Sequence, residues 1–353
     1  DITKIDWSAV PPVDCLTGGS PCQDLSVAGK RAGLAGERSG LYMEQIRCVK
    51  ELRAADEERG RTGQLIRPRY MVWENVLGAL SSNKGEDFRA VLEEAVKIIE
   101  PKAPSIPVPD GGGWPYTGCL TDGVAGRWSI AWRVHDAQFW RVPQRRRRIS
   151  LVCDFAGLSA PEILFERKGL SGDFEPGGAP GKETAGGAGK SADKSVWCIQ
   201  GNIASGSTKQ WGLGVMPPPM FTETATDVHA VYCVQNSVAR RLTPLECERL
   251  QGYPDGWTNN GEWTDSKGKK HKPADSPRYK ALGNSIALPF WFWLLRRISA
   301  QYYRPATLGS LFDGIGGFPL CWERCNGSGT ALWASEIEEF PMAVTKLRFP
   351  ETS

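Results

Sequence analysis

The chain has 353 residues, 41% hydrophobic and 24% charged, with 43 Lys and Arg against 40 Asp and Glu. Such a length predicts two domains and a sizeable core, and a net charge of +3 excludes a histone-like binder acting by bulk charge. The densest apolar run, Ile286 to Leu295, contains a proline and reaches about half of a bilayer span. The first residues, DITKIDW, lack a signal-peptide pattern, so membrane and secreted classes are not expected.

In chain order, strand-like apolar runs occupy Val13–Leu16, Tyr70–Trp73, Ser129–Val134, Ile149–Cys153, Leu308–Phe312 and Ala331–Ala334. Helical spacing links Tyr42, Ile46 and Val49, and again Phe88, Leu92, Ala95, Val96 and Ile99. Alternating strands and helices predict an α/β domain with a mostly parallel sheet, whose ligands bind beyond the carboxyl ends of the strands. Pro101–Gly113 reads as a surface loop, and glycine-rich Ser171–Lys194 as a flexible linker or mobile loop. The segment from about 156 to 279 reads as a second, smaller, irregular β-rich domain. Ten scattered cysteines without a CxxC pair, and three distant histidines, predict neither disulfides nor a metal cluster.

Four constellations carry chemistry. LFDGIGGF (Leu311–Phe318) is a glycine-rich turn between a strand and a helix, and LWASE places Glu336 at the next strand end, where an acid can accept from ribose hydroxyls. TGGSPCQ (Thr17–Gln23) sets Cys22 just past a strand end, where an activated thiolate could attack a soft carbon. WENV (Trp73–Val76) brings Glu74 to a third strand end as a candidate acid. In VPQRRRRI (Val142–Ile149), Arg146 and Arg148 alternate, so an extended chain turns both guanidiniums to one face. RRLTPLECERLQGYP (Arg240–Pro254) reads as a helix with a capping box of Thr243 and Glu246.

Together with GNSI (Gly283–Ile286), these motifs resemble the DNA cytosine-5 methyltransferase family. The resemblance spans the chain except for about 156–239, which it identifies as the target recognition domain. It implies a Rossmann-like, doubly wound, mostly parallel sheet of the S-adenosylmethionine-dependent methyltransferase type. Residues 1–155 would form the first part of the catalytic domain, 156–279 the recognition domain with its supporting helix, and 280–353 the second catalytic part. The motif order departs from the family's: FDGIGGF follows GNSI instead of opening the chain, a circularly permuted arrangement.

The resemblance further implies a methyl transfer from S-adenosylmethionine to carbon 5 of a flipped-out cytosine in duplex DNA, leaving S-adenosylhomocysteine and 5-methylcytosine. Cys22 would attack carbon 6, Glu74 would hold ring nitrogen 3, and Arg148 the base carbonyl, with Arg146 orienting Glu74, Cys22 or a phosphate. Phe312, Gly314, Ile315, Gly316, Gly317, Glu336 and Ile337 would surround the cofactor, with Asp1, Ile2, Pro21, Leu41, Asn284 and Ser285 completing the pocket. Gln23, Ser26, Lys30, Arg240 and Arg241 would contact DNA, the first three on a glycine-dotted loop that closes over the base. No metal is implied. An RNA-directed enzyme or a non-catalytic DNA-binding homologue are the alternatives. The expected setting is a bacterial or phage-encoded, cytoplasmic monomer on the nucleoid, with a cognate restriction endonuclease left open as a partner.

Overall fold

The computed structural model describes residues 1–20, 40–123, 125–165, 196–199, 215–216, 230–233 and 238–352. Its strands are β1 (Cys15–Gly18), β2 (Tyr70–Asn75), β3 (Thr117–Thr121), β4 (Ser129–Asp136), β5 (Arg147–Asp154), β6 (Val196–Ile199), β7 (Val215–Met216), β8 (Ala230–Cys233), β9 (Val238–Arg241), β10 (Trp263–Thr264), β11 (Lys270–His271), β12 (Leu308–Leu311) and β13 (Ala331–Ser335). The described α-helices are α1 (Gly40–Glu58), α2 (Glu86–Val96), α3 (Ser159–Leu164), α4 (Pro244–Gln251), α5 (Asp275–Asn284), α6 (Leu288–Ser299), α7 (Gly317–Asn326) and α8 (Glu339–Arg348).

Seven strands form one sheet in the order β13-β12-β1-β2-β5-β4-β3. The first four are mutually parallel, and β5 reverses direction against β2. All residues of β1 and β12 are buried, because helices cover both faces; this is why the runs read as continuously apolar instead of alternating. Alternate side chains feed two cores. Cys15, Tyr70, Val72 and Leu308 join α6 and α7 on one face, while Leu16, Met71, Trp73 and Leu311 join α1 and α2 on the other. The doubly wound α/β architecture expected from the sequence is therefore present.

The pairing of β1 with β12 joins distant parts of the chain, and Asp14 locks it. Its carboxylate accepts from both terminal nitrogens of Arg304 at 2.7 Å and from Thr307 N at 2.8 Å. A smaller antiparallel sheet has the order β7-β6-β8-β9, and β10 and β11 form a short hairpin. Thr243 caps α4 as expected, with Glu246 N donating to Thr243 Oγ1 and Thr243 N to Glu246 Oε2. Leu242, Cys247, Tyr253 and Trp257 pack in the same core as α6 and α7. The part of the 156–279 segment beyond about residue 242 is thus continuous with the large sheet's helical cover.

The flat apolar pattern concealed β3, an edge strand with alternating exposure. Among the described residues, Cys15, Cys48, Cys153, Cys247 and Cys321 are buried. No described helix is long and apolar enough to cross a membrane, and no described cluster of three or more His, Cys, Asp or Glu could hold a metal ion.

Candidate active site

Register brings the chemical motifs to one edge of the sheet. Gly18 pairs with Leu311 on one side and with Trp73 on the other, and Leu311 pairs with Ser335. The residues one position beyond this row are therefore neighbours, at about 4.8 Å per strand: Glu336, the start of the glycine turn, Gly19 and, still within β2, Glu74. Because β5 runs the other way, its amino end brings Arg148 to the same edge.

Glu74 and Arg148 meet there. Arg148 Nε lies 2.9 Å from Glu74 Oε1, with side-chain exposures of 18% and 14%. Ile149 pairs with Asn75, so Arg148 reaches Glu74 diagonally across the antiparallel ladder. His135 pairs with Arg148 from the other side and stacks on Phe290 at 3.5 Å between ring centres. Burial, then the charges of Arg148 and Arg133, hold its imidazole well below the ordinary range. Arg148 thus faces a neutral neighbour and a carboxylate.

The WEN residues also grip the chain that leads to Cys22. An ideal Cβ at Gly19 would stand 3.0 Å from Glu74 Oε2, so any larger residue here would crowd the carboxylate. Trp73 Nε1 donates to Ser20 Oγ at 2.9 Å, and Asn75 Nδ2 to the Ser20 carbonyl at 3.3 Å. Ser20 stands two residues before Cys22. Pro21, Cys22, Gln23, Ser26 and Lys30 themselves lie outside the described residues. The thiols of Cys15, Cys48, Cys153 and Cys321 are pushed upward, by burial above all.

The glycine turn is held from all sides. Phe312 has φ 55°, a left-handed conformation uncommon for a bulky residue and concentrated at functional sites. Glu336 Oε2 accepts from Gly314 N at 2.7 Å, and Oε1 from the amides of Ile337 and Glu338. Gly314 has φ 59°, and a Cβ there would meet nothing within 4 Å; its open side faces away from the packed protein. Beside it Asp313 is buried, with Oδ1 accepting from Ser310 Oγ at 2.6 Å and Oδ2 unpartnered. Burial, reinforced by the charge of Glu336, lifts its carboxyl from 3.8 to about 7. An open glycine, an acid whose Oε2 keeps one lone pair for a ribose hydroxyl and a buried orphan acceptor fit a polar, cationic nucleoside such as S-adenosylmethionine.

Other expected pocket residues divide. The Ile315 side chain turns fully into the core, and only its carbonyl borders the turn, accepting from Trp257 Nε1 at 2.8 Å. Ile337 is 74% exposed directly after Glu336. Asn284 is exposed at the end of α5, whereas Ser285 is buried. Asp1 is exposed and caps a short turn, while Ile2 and half-buried Leu41 pack with the α1 core.

Arg146 differs from its expected place. It lies one residue before β5, and its carbonyl still accepts from Ala137 N at 3.1 Å just past the end of β4. Its buried guanidinium donates to the carbonyls of Gly283, at 3.0 Å, and Ser285. Ser285 Oγ in turn bonds the Tyr253 hydroxyl, which sits 2.5 Å from where a Cβ on Gly317 would be. Arg146 therefore fastens the arginine segment to GNSI and, through Tyr253, to the glycine turn. Of the expected phosphate contacts, Arg240 is held by Glu246 at 2.7 and 2.8 Å, and Arg241 is exposed.

Sequence reasoning passed over Tyr253, Trp257, Asp313 and Gln144. Both amide atoms of Gln144 are buried without a partner, two residues before Arg146. Its place inside VPQRRRRI was the available signal. Nothing local marked Tyr253 or Trp257.

The C-5 cytosine-specific DNA methylase family model matches residues 1–98 and 182–300. A protein of Escherichia phage P1 named DNA N-6-adenine-methyltransferase is 28% identical over 420 residues, covering 85% of this chain and 54% of the phage protein. Type II methyltransferase M1.ScrFI of Lactococcus lactis subsp. cremoris is 25% identical over 313 residues, covering 82% of this chain and 63% of that protein. The chain thus spans between about half and two thirds of the length of these relatives. The crystal structure of S. pombe Dnmt2 methyltransferase aligns with 85% of this chain and 83% of its own, at 14% identity and a TM-score of 0.43. The glycine turn and Glu336 fall outside both stretches that the family model matches. Those stretches nonetheless make up more than half of the residues, and the chain belongs to the C-5 cytosine-specific DNA methylase family.

Proposed function

We propose that the chain methylates carbon 5 of a cytosine flipped out of duplex DNA, using S-adenosylmethionine and a covalent Cys22 intermediate. The observation that carries the reading is the grip of Trp73, Glu74 and Asn75 on Gly19 and Ser20, with Arg148 paired to Glu74. This arrangement holds Ser20, two residues before Cys22 in the chain, beside a carboxylate and a guanidinium suited to one pyrimidine ring.

Carbon 5 of cytosine is a weak nucleophile. The Cys22 thiolate adds to carbon 6, and Glu74 supplies the hydrogen bond and proton that ring nitrogen 3 needs as electrons move into the ring. Arg148 binds the carbonyl at position 2 and keeps the Glu74 carboxyl aimed at the ring. The enamine's carbon 5 then takes the methyl group; when bound, S-adenosylmethionine supplies it as a methyl on a sulfonium. Loss of the carbon-5 proton expels the Cys22 thiolate and restores aromaticity. Glu336, Gly314 and Asp313 would hold the cofactor. Flipping costs a few kcal/mol, which contacts to the extruded base and the DNA backbone offset. The smaller sheet, β6 to β9, is the candidate target recognition domain.

A permuted motif order is part of this reading. Its support is that β12, although it follows residue 300, takes the place beside β1 and carries the glycine turn to the common edge.

The test is incubation with duplex DNA and methyl-labelled cofactor, followed by nucleoside mass spectrometry. The expected product is 5-methylcytosine, lost by more than a thousandfold in Cys22→Ala while S-adenosylhomocysteine still binds. N6-methyladenine, or label in transfer RNA alone, would overturn the reading.

A further inference from the structure

Arg240, an arginine that the sequence offered to DNA phosphates, is neutralised by Glu246. The hairpin of β10 and β11 presents the opposite case. Between residues 262 and 272 it carries Lys267, Lys269, Lys270 and Lys272 against Glu262 and Asp265. All four lysines are exposed, and none has an ion-pair partner within 4 Å among the described residues. Asp265 and Glu339 keep their negative charges beside the turn, Glu339 within electrostatic reach of Lys267, but neither carboxylate forms an ion pair with a lysine; Asp265 is oriented into the turn. It accepts from Lys267 N at 3.0 Å, Lys269 N at 2.9 Å and His271 Nε2 at 2.8 Å.

A run of lysines is ordinarily a solvated face. This one is braced. Trp263 stacks on His271 with ring centres 4.2 Å apart and packs against Phe340 of α8. Ser266 donates through both N and Oγ to Glu339, also on α8. Cations held on a rigid turn lose little conformational freedom on binding a polyanion. Position matters too. α5 starts shortly after the hairpin, runs ten residues or about 15 Å, and ends at the carbonyls that hold Arg146. That length corresponds to about four base pairs of duplex.

We propose that the hairpin of residues 263–271, with Lys272, is a phosphate clamp for duplex DNA flanking the target base. It reads no sequence; it adds counterion-releasing contacts that the arginines held by Glu and Asp elsewhere cannot supply. The proposal rests on the DNA-methyltransferase reading above.

The test is fluorescence anisotropy with the full chain, two unrelated labelled 30-base-pair duplexes and S-adenosylhomocysteine, across 50–300 mM salt. Replacing Lys267, Lys269, Lys270 and Lys272 together by Gln should weaken binding about 10–30-fold at 150 mM on both duplexes. It should also flatten the plot of log affinity against log salt by about 2–3. Replacing the same four by Arg should preserve the parent's slope. S-adenosylhomocysteine affinity and melting temperature should not move in either variant. An unchanged slope in the Gln variant overturns the clamp while leaving the enzyme reading intact. A parent that shows no salt-dependent duplex binding overturns both.

Discussion

Asp313 concentrates the physics of the glycine turn in one side chain. Its Oδ2 is buried without a partner, and burial raises the carboxyl from 3.8 to about 7. Between those values the unfolded chain releases a proton that the folded chain keeps. Asp313 therefore favours the folded state below about pH 4, and that contribution is lost as pH rises to about 7. Asp313→Asn should be stabilising relative to the parent above pH 7, by on the order of 2–4 kcal/mol, and nearly neutral at pH 4. Urea melts of the cofactor-free protein at pH 4, 6 and 8 check this; a difference that does not change with pH would contradict it. Glu74, Glu336 and Arg148 were legible in the sequence because each stands at the end of an apolar run, where a parallel sheet opens onto its ligand edge. Asp313 was not. Its significance comes from burial and from Glu336 across the strand, and neither is written locally.

Between elements, the decisive contact is Arg146, 2% exposed, on the carbonyls that close α5. Hydrogen bonds from a charged donor contribute about 1.5–3 kcal/mol each, and stranded buried carbonyls add to the cost of losing them. Arg146→Met should destabilise the protein by about 2–4 kcal/mol and lower turnover and S-adenosylhomocysteine affinity together. Arg148→Met should spare both stability and cofactor affinity while lowering turnover. Denaturation curves, calorimetry and initial rates on the two variants separate these roles; equal effects would mean that Arg146 is not the cross-link. The alternation of arginines gave no sign that the Arg146 guanidinium would be engaged by the carbonyls of Gly283 and Ser285. The five inner strands β12, β1, β2, β5 and β4 were readable from apolarity alone, since both of their faces are covered, and the edge strand β13 was readable from its run Ala331–Ala334. β3 was not, because an edge strand with alternating exposure makes no apolar run. The capping box of α4 was readable because it is a contact over three residues. The Arg146 contact, across 137 residues to Gly283, has no such local sign.

At the scale of the molecule, the family model stops at residue 300, but the sheet does not. β12 is a buried neighbour of β1, and Ile315, Phe318, Cys321 and Trp322 fill the core beneath α6. A fragment of residues 1–300 should therefore lose cooperative unfolding, near-ultraviolet circular dichroism and S-adenosylhomocysteine binding, although it contains both matched stretches. A cooperative melt of that fragment would show that β12 and β13 are dispensable to the sheet.

The lock between Asp14 and Thr307 spans 293 residues, and that separation is also a delay. At roughly 5–20 residues per second, a ribosome makes Thr307 about 15–60 s after Asp14. Throughout that interval β1 waits with one side of its backbone unpaired, an open template for other strands. A nascent chain in this state has the strand that leads toward Cys22 but not yet the glycine turn. Its hazard is aggregation, and its candidate site stays incomplete until β12 has been made.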